Sequence, residues 1–227
     1  VVTMLIYWAI SAVFFRQDAA ETMAGAASSS YYNSVNIGLP IATYVLGDAT
    51  FVVPALVLQM AVLSPIVIAG LDRSSSGVAK SVLSGLTAPV VVAAFAGFAV
   101  SAASWTVPEP VLAPLEILGG ASIPLILMSF GASLTGEKVL TSHRGPTLTA
   151  TALKLVGMPA VAWVVATLLG LDGQEMYAAL ILCALPTAQN VYNYAATYRS
   201  GEVICRDTVF LTTFLALPAM LLIAGVF

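Results

Sequence analysis

Long apolar stretches separated by short polar breaks are the feature that most restricts what this chain can fold into. Hydrophobic residues make up 59% of the 227 residues and charged residues only 8%, far below the charged fraction of a soluble domain. So few charges cannot cover a water-facing surface, and stretches of this length favour membrane-spanning helices. We therefore predict an all-α integral membrane protein with about eight transmembrane helices, at residues 1–15, 23–47, 49–71, 79–102, 108–132, 146–170, 174–198 and 203–227.

The charges in the breaks predict how the chain is oriented. Seven of the eight basic residues fall in alternate breaks, at Arg16, Arg73, Lys80, Lys138, Arg144, Arg199 and Arg206. The other breaks carry only acidic charges, at Asp48, Glu109, Asp172 and Glu175. Because basic loops stay on the cytoplasmic side, we predict a multi-pass protein of the cell membrane, in contact with lipid, whose C-terminus lies outside. A net charge of −3 offers no basic field for nucleic acid.

Two spans, the second and the seventh, combine amide side chains and a proline at membrane depth. Proline removes a backbone hydrogen bond, and such a break is tolerated only where protein or a water-lined cavity satisfies the freed groups. Broken spans in corresponding positions of two halves indicate the binding site of a transporter. The predicted substrate-binding residues are Asn33, Asn36, Gly38, Pro40, Pro186, Gln189, Asn190 and Asn193.

The spacing of these residues sharpens the prediction. In the second span the two asparagines precede Pro40 by seven and four residues, and in the seventh they follow Pro186 by four and seven. Each set should share one helix face, and each proline suits the first turn of a new half-helix. Two half-helix N-termini would then direct partial positive charge into the membrane, which favours an anion. Alternatively, both spans are kinked structural helices whose amides bond neighbouring backbones.

Two ionisable residues inside spans are candidates for ion coupling. Glu116 in the fifth span could carry a proton, because desolvation raises the pKa of a carboxyl group, or it could lie near the interface. Lys154 in the sixth span could attract an anion, pair with a carboxylate, or extend to the interface. The single histidine and the two cysteines do not form a ligand set, so we expect no metal and no cofactor.

The two polar spans also resemble a known family. Residues 33–40 (NSVNIGLP) resemble the fourth helix of the auxin efflux carrier family, which includes the plant PIN-FORMED auxin carriers and bacterial permeases of malate or malonate. Residues 184–198 (ALPTAQNVYNYAATY) resemble its ninth helix, and residues 122–134, 153–159 and 217–218 fit its seventh, eighth and tenth. The resemblance implies a ten-helix fold of two inverted five-helix repeats, in which helices four and nine break at prolines and cross at the substrate site.

On this mapping the sequence begins within the third helix. Residues 1–71 would be helices three to five, the remainder of the first repeat, and residues 72–227 the second repeat. The resemblance implies a secondary carrier or facilitator of a small organic anion, and not an enzyme; a homodimer is compatible with it. No long hydrophilic loop lies between the third and fourth spans, which indicates a bacterial-type member. A membrane-embedded enzyme would need a catalytic pair at membrane depth, which the sequence lacks. A sodium-coupled carrier of the bile-acid type and a non-transporting sensor or partner subunit stay open as alternatives.

Overall fold

The computed structural model describes residues 1–72, 80, 83, 86–133, 135 and 138–226. Throughout these residues the regular structure is helical, and the only extended pairing is an isolated bridge between Tyr32 and Thr187. The predicted all-α class is therefore confirmed for the part of the chain that the structure describes.

The helices vary in length, and only some can cross a membrane without interruption. Among the described residues, three are long and apolar enough to do so: Ala49–Leu71, Arg144–Leu168 and Glu202–Ala224. These helices agree with a membrane protein, whereas the count of eight spans and the inverted repeats stay predictions. The helices are α1 (Val2–Phe14), α2 (Ala19–Ser28), α3 (Leu39–Tyr44), α4 (Ala49–Leu71), α5 (Pro89–Ala102), α6 (Glu109–Ser133), α7 (Arg144–Leu168), α8 (Gly173–Ala184), α9 (Gln189–Tyr198) and α10 (Glu202–Ala224).

Short π-helical turns precede three of the prolines. The turn at Ser34–Gly38 precedes Pro40, and inside α4 and α7 similar turns, at 59–63 and 153–157, precede Pro65 and Pro159. A proline ring clashes with the carbonyl of the preceding turn. A π turn closes on the carbonyl five residues back and so takes up one extra residue. The helix therefore continues past Pro65 and Pro159 instead of breaking there.

Two predicted spans are interrupted, but not where the sequence predicts. The span at 23–47 leaves the helix at residues 29–33 and resumes with the π turn at Ser34–Gly38, so Pro40 lies inside the new half-helix, where α3 begins, and not at its start. The span at 174–198 is open at residues 185–188, which places Pro186 inside the break and not at the start of α9. At the first break the hydroxyls of Ser29 and Ser30 both donate to the Ala26 carbonyl and compete with helical bonding.

Small residues bring the helices around the breaks close together. A Cβ atom at Gly25 of α2 would lie 2.1 Å from the ring of Tyr7 on α1, so only glycine permits this contact. The main buried cluster joins α1, α2, α4, α9 and α10, with Tyr7, Tyr31 and Cys205 among its members. The first break thus lies against the largest packed region of the described chain.

The loop charges predict which side each loop faces. We expect a cysteine at Thr141, in the loop before α7, to react with a membrane-impermeant maleimide only from the cytoplasm. A cysteine at Thr106, in the loop between α5 and α6, should react only from outside, because its loop carries acidic and no basic charge. Both positions are exposed. The background variant has Cys183 and Cys205 replaced by alanine. Labelling of both loops from the same side would contradict the alternating topology.

Candidate functional site

The two breaks lie side by side and are joined by backbone hydrogen bonds. The N–H of Asn33 donates to the carbonyl of Pro186, and the N–H of Ala188 donates to the carbonyl of Tyr31, both at 2.9 Å. These bonds flank the antiparallel bridge of Tyr32 with Thr187. Backbone groups freed by one break are therefore satisfied by the other. In lipid each unsatisfied group would cost several kcal/mol.

Thr187 ties this pairing to two further helices. Its hydroxyl donates to the Ser28 carbonyl at the end of α2, at 2.7 Å. Its backbone N–H donates to the hydroxyl of Thr212 on α10, at 3.0 Å. All three residues are fully buried. Thr187 therefore bonds the second break to α2, in the first half of the chain, and to α10.

Gln59, in the π turn of α4, supports the first break from the other side. Its carboxamide nitrogen donates to the Tyr32 carbonyl at 2.9 Å, and its oxygen accepts a bond from the Ser34 hydroxyl. The side chain is only 2% exposed, so the bonds form away from water. Gln59 is not among the residues predicted from the sequence, although an amide inside an apolar span is the same signal that identified the predicted asparagines.

A chain of hydroxyl groups links the same region to α9. The Tyr31 hydroxyl donates to the Gln59 carbonyl at 3.0 Å and lies 2.7 Å from the Ser64 hydroxyl. The Ser64 hydroxyl lies 3.2 Å from the Tyr194 hydroxyl. These groups connect the first break, the π turn of α4 and the half-helix that follows the second break.

A small cavity of about 20 Å³ lies beside the paired breaks. It brings together three of the predicted site residues, Asn33, Asn36 and Asn190. Residues from both breaks, both following half-helices and α4 contribute to it. The lining consists of Tyr31, Asn33, Ser34, Val35, Asn36, Met60, Ala188 and Asn190.

The two half-helices that follow the breaks begin differently. Asn33 caps the first, because its side-chain oxygen accepts a bond from the Asn36 N–H at 3.1 Å. It therefore lies before the helix, and the prediction that Asn33 shares a helix face with Asn36 is wrong. The second half-helix, α9, begins after Ala188, which provides no side-chain cap. A side-chain cap therefore occupies one N–H group at the start of the first half-helix and none at the start of α9. That the two N-termini attract an anion stays a prediction.

Gln189, the first residue of α9, has unused hydrogen-bonding capacity. Its side chain is 9% exposed, and its carboxamide oxygen has no hydrogen-bond partner among the described residues. A buried polar atom without a partner is costly. The carboxamide oxygen of Gln189 and the uncapped start of α9 lie together, so the end of the second break is polar and incompletely hydrogen-bonded.

The other predicted site residues lie outside the cavity lining. Gly38 is buried, and a Cβ atom there would lie 3.1 Å from the Asn33 carbonyl, so it permits close packing of the first break. Pro40 is exposed on α3, and Asn193 is partly buried one turn into α9. Pro186 contributes its carbonyl to the backbone pairing. Their binding roles stay predictions.

The two candidates for ion coupling differ in their surroundings. Glu116 is exposed on α6, whereas Lys154 is completely buried, so extension of this lysine to the interface is excluded. The Lys154 ammonium donates to the Cys183 carbonyl at 2.7 Å. Within the described residues, His, Cys, Asp and Glu side chains form no group of three or more that could hold a metal ion.

Comparison with known proteins agrees with a membrane transporter. The family model described as membrane transport protein matches residues 73–224. An uncharacterized transporter of Methanocaldococcus jannaschii is 27% identical over 107 residues, which cover 47% of this chain and 34% of that protein. The matched part of the chain thus spans about a third of the length of this curated relative.

Loss of the Gln59 side chain should destabilise the paired breaks. Gln59→Leu leaves the Ser34 hydroxyl without its partner and removes one of the two hydrogen bonds to the Tyr32 carbonyl, which keeps its bond from the Ser34 N–H. The expected loss is about 1–3 kcal/mol of unfolding free energy. The matched control is Gln174→Leu, whose side chain also donates to a backbone carbonyl, that of Leu46, but is exposed to solvent. Water can replace that bond, so the control should lose less than about 1 kcal/mol. Equal losses in thermal or chemical unfolding of the two variants would contradict this role of Gln59.

Proposed function

The chain belongs to the auxin efflux carrier family of membrane transport proteins, and on that premise we propose that it moves a small organic anion, such as a carboxylate, across the cell membrane. The anion binds in the cavity beside the paired breaks, and the protein acts as a secondary carrier or facilitator. The observation that carries this proposal is the cavity, where the uncapped start of α9 meets three asparagine side chains.

The start of α9 supplies the attraction for an anion. The first N–H groups of a helix have no intrahelical partner, and the helix dipole places partial positive charge at this end. Ala188 and Asn190, which flank the first helical residue, both line the cavity. A carboxylate there would accept hydrogen bonds from the first N–H groups of α9, for which no side chain acts as a cap.

The asparagines supply further donors without a permanent charge. Asn36 and Asn190 make no side-chain hydrogen bonds with other described residues, and both are partly buried. Asn33 uses its oxygen as a cap, which leaves its NH₂ group for a ligand. Neutral amides bind an anion more weakly than a buried arginine or lysine would, and a carrier must also release what it binds.

The cavity is narrow as it stands, with about 20 Å³ of space, roughly enough for one water molecule. The polar groups cluster at the two breaks, and Val35 and Met60 provide apolar contact. A carboxylate therefore enters only when the lining side chains move apart, and a short carboxylate requires the smallest such movement.

Replacement of Asn190 should weaken anion binding without loss of the fold. Asn190→Ala removes a donor to a charged ligand, and the loss of such a bond costs about 1.5–3 kcal/mol, or roughly 10- to 150-fold in affinity. The matched control is Asn193→Ala, on the same helix but outside the cavity lining, which should change affinity little. Affinity is measured on the purified full-length variants, with thermal unfolding as the control for folding. Equal effects of the two substitutions would place the site elsewhere.

A flux assay decides between a carrier and a non-transporting protein. We expect the full-length protein in liposomes to take up one or more short carboxylates from a panel that includes malate and malonate. Asn190→Ala should reduce this flux at limiting substrate concentration. Binding of a carboxylate without flux would favour the sensor or partner subunit over the carrier.

A further inference from the structure

A second cavity, of about 230 Å³, lies between α1 and α2, away from the paired breaks. Its lining consists of Trp8, Ser11, Ala12, Gln17, Ala19 and Thr22. None of these residues lines the cavity of the proposed anion site. A ligand bound between α1 and α2 is therefore a second ligand, and the inference drawn from this cavity does not depend on the proposed function.

Gln17, in the loop between the two helices, has a carboxamide group that is only half satisfied. Its oxygen accepts a bond from the Ser11 hydroxyl at 2.9 Å and a second bond from the Tyr7 hydroxyl at 3.2 Å. Its nitrogen is buried and has no hydrogen-bond partner among the described residues. A buried donor without a partner is costly, so the Gln17 NH₂ group calls for an acceptor.

The rest of the lining offers no acceptor for this NH₂ group and is mostly apolar. The hydroxyls of Ser11 and Thr22 lie 3.1 Å apart and bond each other, and both side chains are buried. The remaining walls are the Trp8 ring, which is 39% exposed, and two alanines. The cavity thus combines one open donor with apolar walls. This combination suits a ligand that presents a single oxygen acceptor on an otherwise apolar body.

The place of Gln17 in the chain indicates where such a ligand comes from. α1 ends at Phe14, and Arg16 follows in a break that the charge pattern predicts on the cytoplasmic side. Arginine and exposed tryptophan are both typical of the boundary between the hydrocarbon region and the lipid headgroups. The ester carbonyls of phospholipids lie at this boundary, directly above their acyl chains. They are acceptors on an apolar body.

The charges around the loop favour one type of headgroup. Arg16 is exposed and can contact a phosphate. Two acidic residues, Asp18 and Glu21, follow it at the start of α2. They repel a headgroup with net negative charge, whereas a zwitterionic headgroup carries an ammonium that offsets its own phosphate.

We propose that this cavity binds a zwitterionic phospholipid of the cytoplasmic leaflet, of the phosphatidylethanolamine type. One ester carbonyl accepts a hydrogen bond from the Gln17 NH₂ group, an acyl chain covers the apolar walls, and the phosphate lies near Arg16. The lipid bridges α1 and α2. Tyr7, which bonds Gln17, also packs against Gly25 of α2. The lipid therefore supports the helix that leads into the first break.

A comparison of ester and ether lipids tests the contact with Gln17. Native mass spectrometry of the purified full-length protein gives the Kd of phosphatidylethanolamine and of its diether analogue with the same chains, which lacks the carbonyls. The wild type should bind the ester roughly 2- to 10-fold more tightly, as expected for one hydrogen bond. Gln17→Leu should bind both lipids equally. The matched control is Gln174→Leu, which removes an exposed carboxamide outside this cavity and should keep the preference.

Equal binding of the two lipids by the wild type would overturn the proposal, as would a preference that persists in Gln17→Leu. Phosphatidylglycerol with the same chains should bind the wild type more weakly than phosphatidylethanolamine, and equal or tighter binding would overturn the choice of headgroup.

A second variant covers the case in which Gln17→Leu does not fold. Ala12→Trp fills the cavity and leaves the bonds of Gln17 in place, so it should abolish the preference for the ester lipid. The matched control is Val13→Trp, whose neighbouring position is 74% exposed and lies outside the lining, and which should keep the preference. An unchanged preference in Ala12→Trp would overturn the proposal.

Discussion

The pairing of the two breaks is the interaction on which the rest of this structure depends. Two backbone bonds, from Asn33 to Pro186 and from Ala188 to Tyr31, allow two helices to open at the same place. Lipid cannot satisfy the groups that an open helix exposes, so neither break would be tolerated alone. The side chains of Thr187 and Gln59 extend the same principle, because each donates a hydrogen bond to a backbone carbonyl at the first break. The cavity exists because these groups hold the two open segments against each other.

The two halves of the pairing satisfy their helix ends with different chemistry. A hydroxyl cluster closes α2, and Asn33 caps the half-helix that follows. In the second half, the ammonium of Lys154 bonds the end of α8, and α9 begins without a side-chain cap. Of the two half-helices that follow the breaks, α9 is therefore the one that begins without a side-chain cap, and the carboxamide oxygen of its Gln189 has no partner among the described residues. This asymmetry gives an anion one favourable position in the proposed site.

The sequence predicted the existence of the breaks better than their positions. Clustered amides and a proline at membrane depth were sufficient to identify both interrupted spans. Pro40 nevertheless lies inside a half-helix, because a π turn absorbs the residue that its ring would displace. A π turn also precedes Pro159 and contains Lys154. Whether a proline breaks a helix or widens it depends on tertiary partners for the freed carbonyls, and local sequence does not specify these.

The same limit applies to single side chains. From the sequence, Lys154 could have extended to the interface, and only the packing of α8 and the first break around it establishes its burial. Asn33 was predicted as a helix-face residue, and its role as a cap follows from where the chain leaves the helix. Cavity residues from separate spans, such as Met60 and Asn190, are neighbours through the fold alone.

A structure of the full-length protein with a transported carboxylate bound would test the central claim most directly. The account predicts that the carboxylate lies in the cavity, within hydrogen-bonding distance of the N–H groups at the start of α9 and of the Asn190 side chain. The backbone bonds between the two breaks should remain intact in that structure. A carboxylate bound elsewhere with this cavity empty, or breaks that separate when it binds, would contradict the account.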